Sequence, residues 1–328
     1  MHDLLFCAHA RGRFSTPMSS EGSPPLDAVP TAATFDELAE HVLARTPAVY
    51  HIAGATEEEW RSQLERHAGS HAFPVRLLGA RDEAGADAPY VALARYMWAS
   101  FRTRLVQRRM TLAEAARAAP RWMVSGVDQR LEGSLVPAPG QLAPLDALDE
   151  LMPADARTVA TGCWISSAGC ATGLHWDSFG PHNFHLQVCG SKRFVLYENA
   201  EAPNLYCYGG FKYLLRFAAA VDFERPDLRR FPRFASARGM EVVLRAGDVL
   251  FIPAYYWHAA SHLAPLNGSY TRWFEEPPAR HPAEPPVPWS VHLNLVRFFV
   301  LDPILDVIRF LAAVLLGTGR NSGKRTQL

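Results

Sequence analysis

Thr172-Gly173-Leu174-His175-Trp176-Asp177 and, further on, Gly247-Asp248-Val249-Leu250-Phe251-Ile252-Pro253-Ala254-Tyr255-Tyr256-Trp257-His258 are the stretches that decide how this chain is read. In an extended strand successive side chains point to opposite faces, so His175 and Asp177 look the same way. His258, 81 positions beyond Asp177, closes the set from a second strand that a Gly-Asp turn opens. Two imidazoles and one carboxylate on one side of an ion leave the opposite positions open, the pattern of non-haem Fe(II) oxygenases. His-x-Asp alone recurs by chance; joined to a turn-bounded strand ending in Trp-His it becomes specific. The expectation is one divalent metal held by His175, Asp177 and His258.

Around these stretches, from Thr158 to about Val300, short alternating runs are punctuated by Gly, Pro and Asn. Asn183, His185 and Gln187 share one strand face, and Phe184, Leu186 and Val188 the other. Cys189-Gly190-Ser191 makes a turn, and Lys192-Arg193-Phe194-Val195-Leu196-Tyr197 returns. Glu241–Arg245 and Val249–Ile252 flank the Gly247-Asp248 turn. Many short strands at this spacing predict a β-sandwich or barrel.

Upstream, residues 31–157 read as a mainly helical portion of the same domain. Thr34-Phe35-Asp36-Glu37 and Thr111-Leu112-Ala113-Glu114 are capping boxes, and helices are expected near Glu57–His67 and Ala92–Arg108. Pro47–Gly54 reads as a short strand. Residues 1–30 form a flexible segment in which Ser, Pro and Gly are frequent, and Met18 is an alternative start. The first apolar run is too short for a signal peptide, so a cytoplasmic setting is expected.

Ser261–Trp289 reads as a long proline-rich insertion, the kind of loop that often forms a lid. Beyond it, residues 301–328 make a C-terminal helix and tail, with Asp302-Pro303 as the start signal and Gly317 as the stop. Its apolar stripe is too short to span a bilayer and is expected to pack or to form a homodimer.

Composition narrows the rest. The 328 residues are 48% hydrophobic with a formal net charge of zero, enough for one sizeable core and without the basic patch that nucleic acid demands. Five cysteines without Cys-x-x-Cys argue against a disulfide framework or a structural zinc site. No Ser-His-Asp arrangement, P-loop or Gly-x-Gly-x-x-Gly is present, and no catalytic side chain is expected beyond the metal ligands.

Taken in order, Thr172–Asp177, Asn183–Phe194, Val221–Asp227 with Phe231–Phe234, and Gly247–His258 resemble the cupin-like Jumonji-C (JmjC) hydroxylases, the group that includes the asparaginyl hydroxylase of hypoxia-inducible factor. The resemblance covers residues 160 to 260. It implies a mainly β fold with α additions: a double-stranded β-helix of the cupin, jelly-roll type, with helical elements before and after it. It also implies Fe(II) on the three ligands, 2-oxoglutarate as cosubstrate, and O2. In that family a lysine nine positions after an asparagine grips the distal carboxylate of 2-oxoglutarate, which carries over to Lys192 and Asn183. A threonine three before the first ligand, here Thr172, contacts the same cosubstrate. A dianion inside a barrel needs a buried cation, and an ammonium with hydroxyl and amide helpers supplies one.

Two departures from the family pattern stand out. Gly180-Pro181-His182 lengthens the stretch between Asp177 and Asn183, and the proline-rich segment after His258 is also longer. The second obscures the closing strand. Ser290–Asn294 is aligned with it here, which places Asn294 beside the cosubstrate; the competing alignment uses Ser269–Trp273 and would place Arg272 there.

The activity this implies is hydroxylation of a C–H bond in a peptide or protein side chain or a peptide-derived small molecule. N-methyl demethylation, a non-oxidative cupin reaction and a non-catalytic metal-binding module are the alternatives. No nucleic-acid or membrane partner is expected.

Overall fold

The computed structural model describes residues 24–52, 57–58, 61, 72–78, 108–119, 121–127, 146–177, 179–207, 219, 221–224 and 226–285, with isolated helical positions between 293 and 308. Strands β7 (Arg157–Ser166), β8 (Ala171–His175), β9 (His182–Cys189), β10 (Ser191–Tyr197), β11 (Gly239–Arg245), β12 (Asp248–Ile252), β13 (Trp257–His262) and β14 (Asn267–Glu275) form the centre of the molecule. They divide between two facing sheets. One runs β11-β10-β13-β8 and the other β12-β9-β14-β7. The chain passes repeatedly from one sheet to the other, which is the winding of a double-stranded β-helix.

Earlier strands extend both sheets. β1 (Leu26–Ala28) pairs with β11, while β2 (Thr31–Ala32) and β3 (Ala48–His51) lie beside β12. On the far side β6 (Arg121–Val127), β4 (Phe73–Leu78) and β5 (Arg108–Met110) continue outward from β7. These last three are strands within a portion read as mainly helical. β4 and β6 each carry an aromatic and at least one valine, but β5 is Arg-Arg-Met, and too few alternations separate the breaks for a period to declare itself.

Two helices match their capping signals. In α1 (Phe35–Ala44) Thr34 Oγ1 accepts from Glu37 N at 3.1 Å, and Glu37 reaches back to Ala33 N. α2 (Leu112–Ala118) carries the full reciprocal box between Thr111 and Glu114. Glu57, Glu58 and Arg61 are helical as expected; residues 92–107 lie outside the described residues, as does the closing-strand candidate Ser290–Asn294 apart from Leu293, which is helical and not extended.

Three apolar clusters follow from the alternation. The outward face of the larger sheet, with Phe184, Leu186, Phe251 and Phe274, is covered by Leu38 and Val42 of α1 and Ala115 of α2. Leu38 is fully buried, worth about 1.5–3 kcal/mol in removed apolar area. The outward face of the smaller sheet packs Leu174, Val195 and Trp257 against Leu205, Tyr206, Phe231 and Phe234. Between the sheets Phe194, Leu196, Leu250, Ile252 and Ala260 fill one part of the interior. The other part is polar.

The proline-rich stretch is not one loop. Its first half is β13 running into β14, a nine-residue strand paired with both β7 and β9. β14 therefore closes the barrel. Tyr270, Thr271, Trp273 and Phe274 are strand formers, and the prolines fall at Pro265 in the turn and from Pro277 onward, where they do not interrupt the ladder.

Candidate metal centre and the polar pocket beside it

β8 delivers His175 and β13 delivers His258, and the two residues pair directly across the ladder. Their rings lie 4.3 Å apart between centroids. Asp177 follows two residues after His175, and its Oδ1 is 3.8 Å from Nε2 of each histidine. His175, Asp177 and His258 thus converge within 4.8 Å, as the spacing predicts.

Hydrogen bonds aim each ligand atom. His175 Nδ1 lies 2.7 Å from Gly173 O, and His258 Nδ1 3.0 Å from Tyr256 O. A carbonyl only accepts, so both Nδ1 atoms carry the proton and both Nε2 lone pairs face the shared point. Burial, then the neighbouring His258, holds the His175 imidazole well below its usual range and hence neutral. Asp177 Oδ2 accepts from Asn183 Nδ2 at 2.9 Å and from Trp273 Nε1 at 2.8 Å. With Oδ2 engaged twice, Oδ1 is the oxygen left for an ion. Two imidazole nitrogens and one oriented carboxylate oxygen fit a divalent iron.

A second group, His182, Glu276 and His281, also brings ligand atoms within 4.8 Å of one another. Its chemistry differs. His182 Nδ1 accepts from Ala254 N at 3.1 Å, which leaves the proton on Nε2 in the neutral ring, facing Glu276 Oε2 at 3.8 Å. Arg45 already neutralises that carboxylate at 2.6 Å. A cation is disfavoured at such a site, and the cluster instead ties the segment after β14 to β9 and to the end of α1.

From the metal point the polar interior runs toward Lys192. This lysine is 2% exposed, and its Nζ donates to Ser269 Oγ of β14. Opposite it on β13 stands His262, whose Nδ1 meets Ser166 Oγ. The β8–β13 ladder carries a bulge between His258 and Ala260 that pairs Thr172 with Ala260, a residue of the interior cluster. Strict alternation would turn Thr172 outward with Leu174; the bulge restores it to the inner face. Asn183 spends its amide nitrogen on Asp177, and its Oδ1 is buried without a partner among the described residues, as are His185 Nε2 and Gln187 Oε1. A buried ammonium facing a row of unmet polar atoms fits a small, multiply charged acid.

Arg272 does not line this pocket. It sits on the other face of β14, bound to Asp149 at 2.5 Å and Asp146 at 3.3 Å. The inward positions are Ser269, Thr271 and Trp273. Sequence reading passed over them, although their parity with Asn267 and against Tyr270 and Phe274 was the available signal. Trp176 is core, stacked on Trp257 at 5.3 Å. Cys163 and Cys189 are buried, and burial pushes both thiols up to about 12, so neither supplies a thiolate.

A double-stranded β-helix with a His-Asp-His set that could hold a metal ion at one end of its polar interior is the architecture of a cupin. A family model described as a cupin-like domain matches residues 35–280, and the chain belongs to that family. It is similar to HSPB1-associated protein 1 of Rattus norvegicus, 38% identical over 112 residues, 34% of this chain and 23% of that protein. JmjC domain-containing protein D of Dictyostelium discoideum is 36% identical over 106 residues, 32% of this chain and 23% of that one. Lysine-specific demethylase 8 of Xenopus tropicalis is 37% identical over 116 residues, 35% of this chain and 25% of that one. The matches therefore span about a quarter of each relative's length. No helix among the described residues is long and apolar enough to cross a membrane.

Proposed function

We propose that this chain is an Fe(II)- and 2-oxoglutarate-dependent oxygenase that hydroxylates a C–H bond in a peptide or protein side chain or a peptide-derived small molecule. One observation carries the reading: two aimed Nε2 atoms and Asp177 Oδ1 stand at one end of a polar interior whose other end holds the buried Lys192. Iron with 2-oxoglutarate and O2 supplies the oxidising power for an unactivated C–H bond. The chain's own part is to hold two imidazoles by their Nδ1 atoms, keep Asp177 Oδ1 turned to the ion, and offer Lys192, Thr172 and Ser269 to the cosubstrate. Asn183 helps through Asp177, and the packed walls around Phe194 and Trp164 keep water away. Asn294 falls beside the cosubstrate only with Ser290–Asn294 as the closing strand, and β14 holds that position instead.

The test is 2-oxoglutarate-dependent succinate release by protein reconstituted with Fe(II), across a peptide panel with mass analysis of the peptides. The wild type should release succinate and add one oxygen to a peptide; His258→Ala should lose iron and succinate while keeping its circular dichroism. An iron-loaded protein that turns over no 2-oxoglutarate would overturn the reading in favour of a non-oxidative or purely binding cupin. N-methyl demethylation is the second reading, supported by the similarity to lysine-specific demethylase 8; it yields formaldehyde instead of a stable added oxygen.

Leu293, Val296, Val300, Leu301, Ile304 and Ile308 are exposed large apolar residues near the C-terminus. A second copy covering them would give the expected homodimer, which light scattering at several concentrations detects.

A further inference from the structure

We propose that His185 is a second anchor for the cosubstrate, an N–H donor set into the cavity between the metal ligands and Lys192. This rests on the reading above that the cavity takes 2-oxoglutarate.

His185 lies in the middle of β9, on the same face as Asn183 and Gln187, and is 6% exposed. Its Nδ1 is 3.0 Å from Thr271 Oγ1, and that oxygen also accepts from Trp164 Nε1 at 3.2 Å. An indole N–H only donates, and a hydroxyl that accepts it still has its own proton and a second lone pair. In the arrangement proposed here Thr271 gives that proton to His185 Nδ1, which leaves Nδ1 bare and Nε2 protonated.

That Nε2 is buried and makes no hydrogen bond of full geometry among the described residues, its nearest polar neighbour being the Gln187 side chain. An unmet buried N–H is costly, and each one in a native structure calls for an explanation. The nearest full charge is the Lys192 ammonium, so the space it faces lies at positive potential and favours an anion. Burial and the nearby ammonium also hold its own ring neutral, which keeps it a donor without adding a second full charge. An ammonium, the Ser269 hydroxyl and an imidazole N–H together match the lone pairs of a carboxylate. The cosubstrate class this selects is a short dicarboxylic 2-oxo acid, long enough to reach from the metal to Lys192.

A rival exists on the same face. Gln187 Nε2 donates to Cys189 O at 2.7 Å, so its Oε1 also turns inward, buried and unpartnered. The Gln187 side chain already lies close enough to interact with His185, and a full hydrogen bond from Nε2–H to Oε1 would make the histidine a wall contact.

The experiment uses the Zn(II)-loaded protein, with 2-oxoglutarate and its inert analogue N-oxalylglycine as probes. In wild-type protein labelled with 15N-histidine, His185 should show the Nε2–H tautomer, and its Nε2 resonance should move on adding either probe. By calorimetry His185→Leu should weaken 2-oxoglutarate binding about tenfold or more, with Zn(II) affinity unchanged. His185→Gln, whose amide nitrogen stands where Nε2 stood, should recover most of the loss. A stationary Nε2 resonance under saturating 2-oxoglutarate overturns the proposal without any variant having to fold. So does a His185→Leu protein that melts earlier yet binds 2-oxoglutarate within twofold of wild type, the signature of the wall contact. If the Zn(II)-loaded wild type fails to bind 2-oxoglutarate at all, the oxygenase reading falls first and this one with it.

Discussion

Trp273 Nε1 donates to Asp177 Oδ2 at 2.8 Å, from a strand 96 residues further along the chain. The indole lies on β14 and the carboxylate just past β8, in the opposite sheet, so the contact exists only once the two sheets have closed. With Asn183 on the same oxygen at 2.9 Å, it decides which oxygen of the ligand faces the ion. The closing strand of the fold and the orientation of the metal site are therefore one feature.

Trp273→Phe keeps the ring and removes the donor. Groups that orient a metal ligand typically carry ten- to a hundred-fold in metal affinity, so iron or cobalt binding should weaken by about that factor while the melting temperature moves little. Cobalt titration followed by its d–d bands checks this. Unaltered affinity would mean Asn183 alone orients Asp177.

Lys192→Met removes the ammonium and keeps a side chain of similar length. Losing one charge-assisted contact in a buried site should cost about 1.5–3 kcal/mol, or roughly ten- to a hundred-fold in 2-oxoglutarate affinity. Metal affinity should be unchanged. If the cosubstrate titration does not shift, the cation that holds it lies elsewhere.

The two strand ends that carry the metal ligands were legible because a period of two needs only two residues to place His175 and Asp177 together. The α1 and α2 starts were legible because a capping box is local. β14 was not: its prolines lie outside the strand, yet they colour the whole window, and the aligned alternative drew attention to Arg272. An arginine on a strand says nothing about which face it takes, and only its partners Asp146 and Asp149, which come from a distant segment, settle the matter. Thr172 shows a different limit. Its inward position depends on a bulge, and a bulge leaves no mark in a pattern of alternation. The His182–Glu276–His281 cluster joins two segments far apart in sequence, so no spacing announces it.

His182 gives the metal-free protein a pH signature. Burial, against the attraction of Glu276 and with the repulsion of His281 and Arg45, lowers it to about 4. The folded value lies below the unfolded one of about 6.5, so the unfolded chain binds more protons between those limits. Stability is therefore full above pH 6.5 and falls as pH drops toward 4. His175, His185 and His262 are shifted in the same direction and steepen the loss. Each such proton contributes about 1.4 kcal/mol per pH unit. His182→Asn, whose Oδ1 can still accept from Ala254 N, should lower the slope of urea stability by one proton between pH 4.5 and 6. A slope identical to wild type would show that His182 is accessible to protons in the fold.

Arg272→Met tests which face of β14 is inward. Arg272 is 7% exposed and bound to two aspartates, so the variant should lose about 1–3 kcal/mol of stability. Metal and 2-oxoglutarate binding should stay at wild-type levels. A selective loss of cosubstrate affinity, with stability intact, would put the guanidinium in the pocket.

Gly180 sits three residues after Asp177, with its N–H donated to Asp177 O at 2.9 Å. Its φ is +65°, and a Cβ there would lie 2.1 Å from Tyr255 Cε1. Tyr255 has little room to retreat: its own φ is 64°, and its ring packs edge-on against Trp176 at 5.2 Å. Gly180→Ala thus meets a left-handed backbone and a fixed ring together, and one must move. The cost of the conformation alone is about 1 kcal/mol, and the clash adds to it. The turn that must shift starts at a metal ligand, so iron affinity should fall along with the melting temperature. Tyr255→Ala in the same chain removes the obstructing ring and should return iron affinity toward that of the Tyr255→Ala single variant, leaving only the backbone cost. A double variant that binds iron as poorly as Gly180→Ala would show that φ at Gly180, and not its contact with Tyr255, sets the position of Asp177.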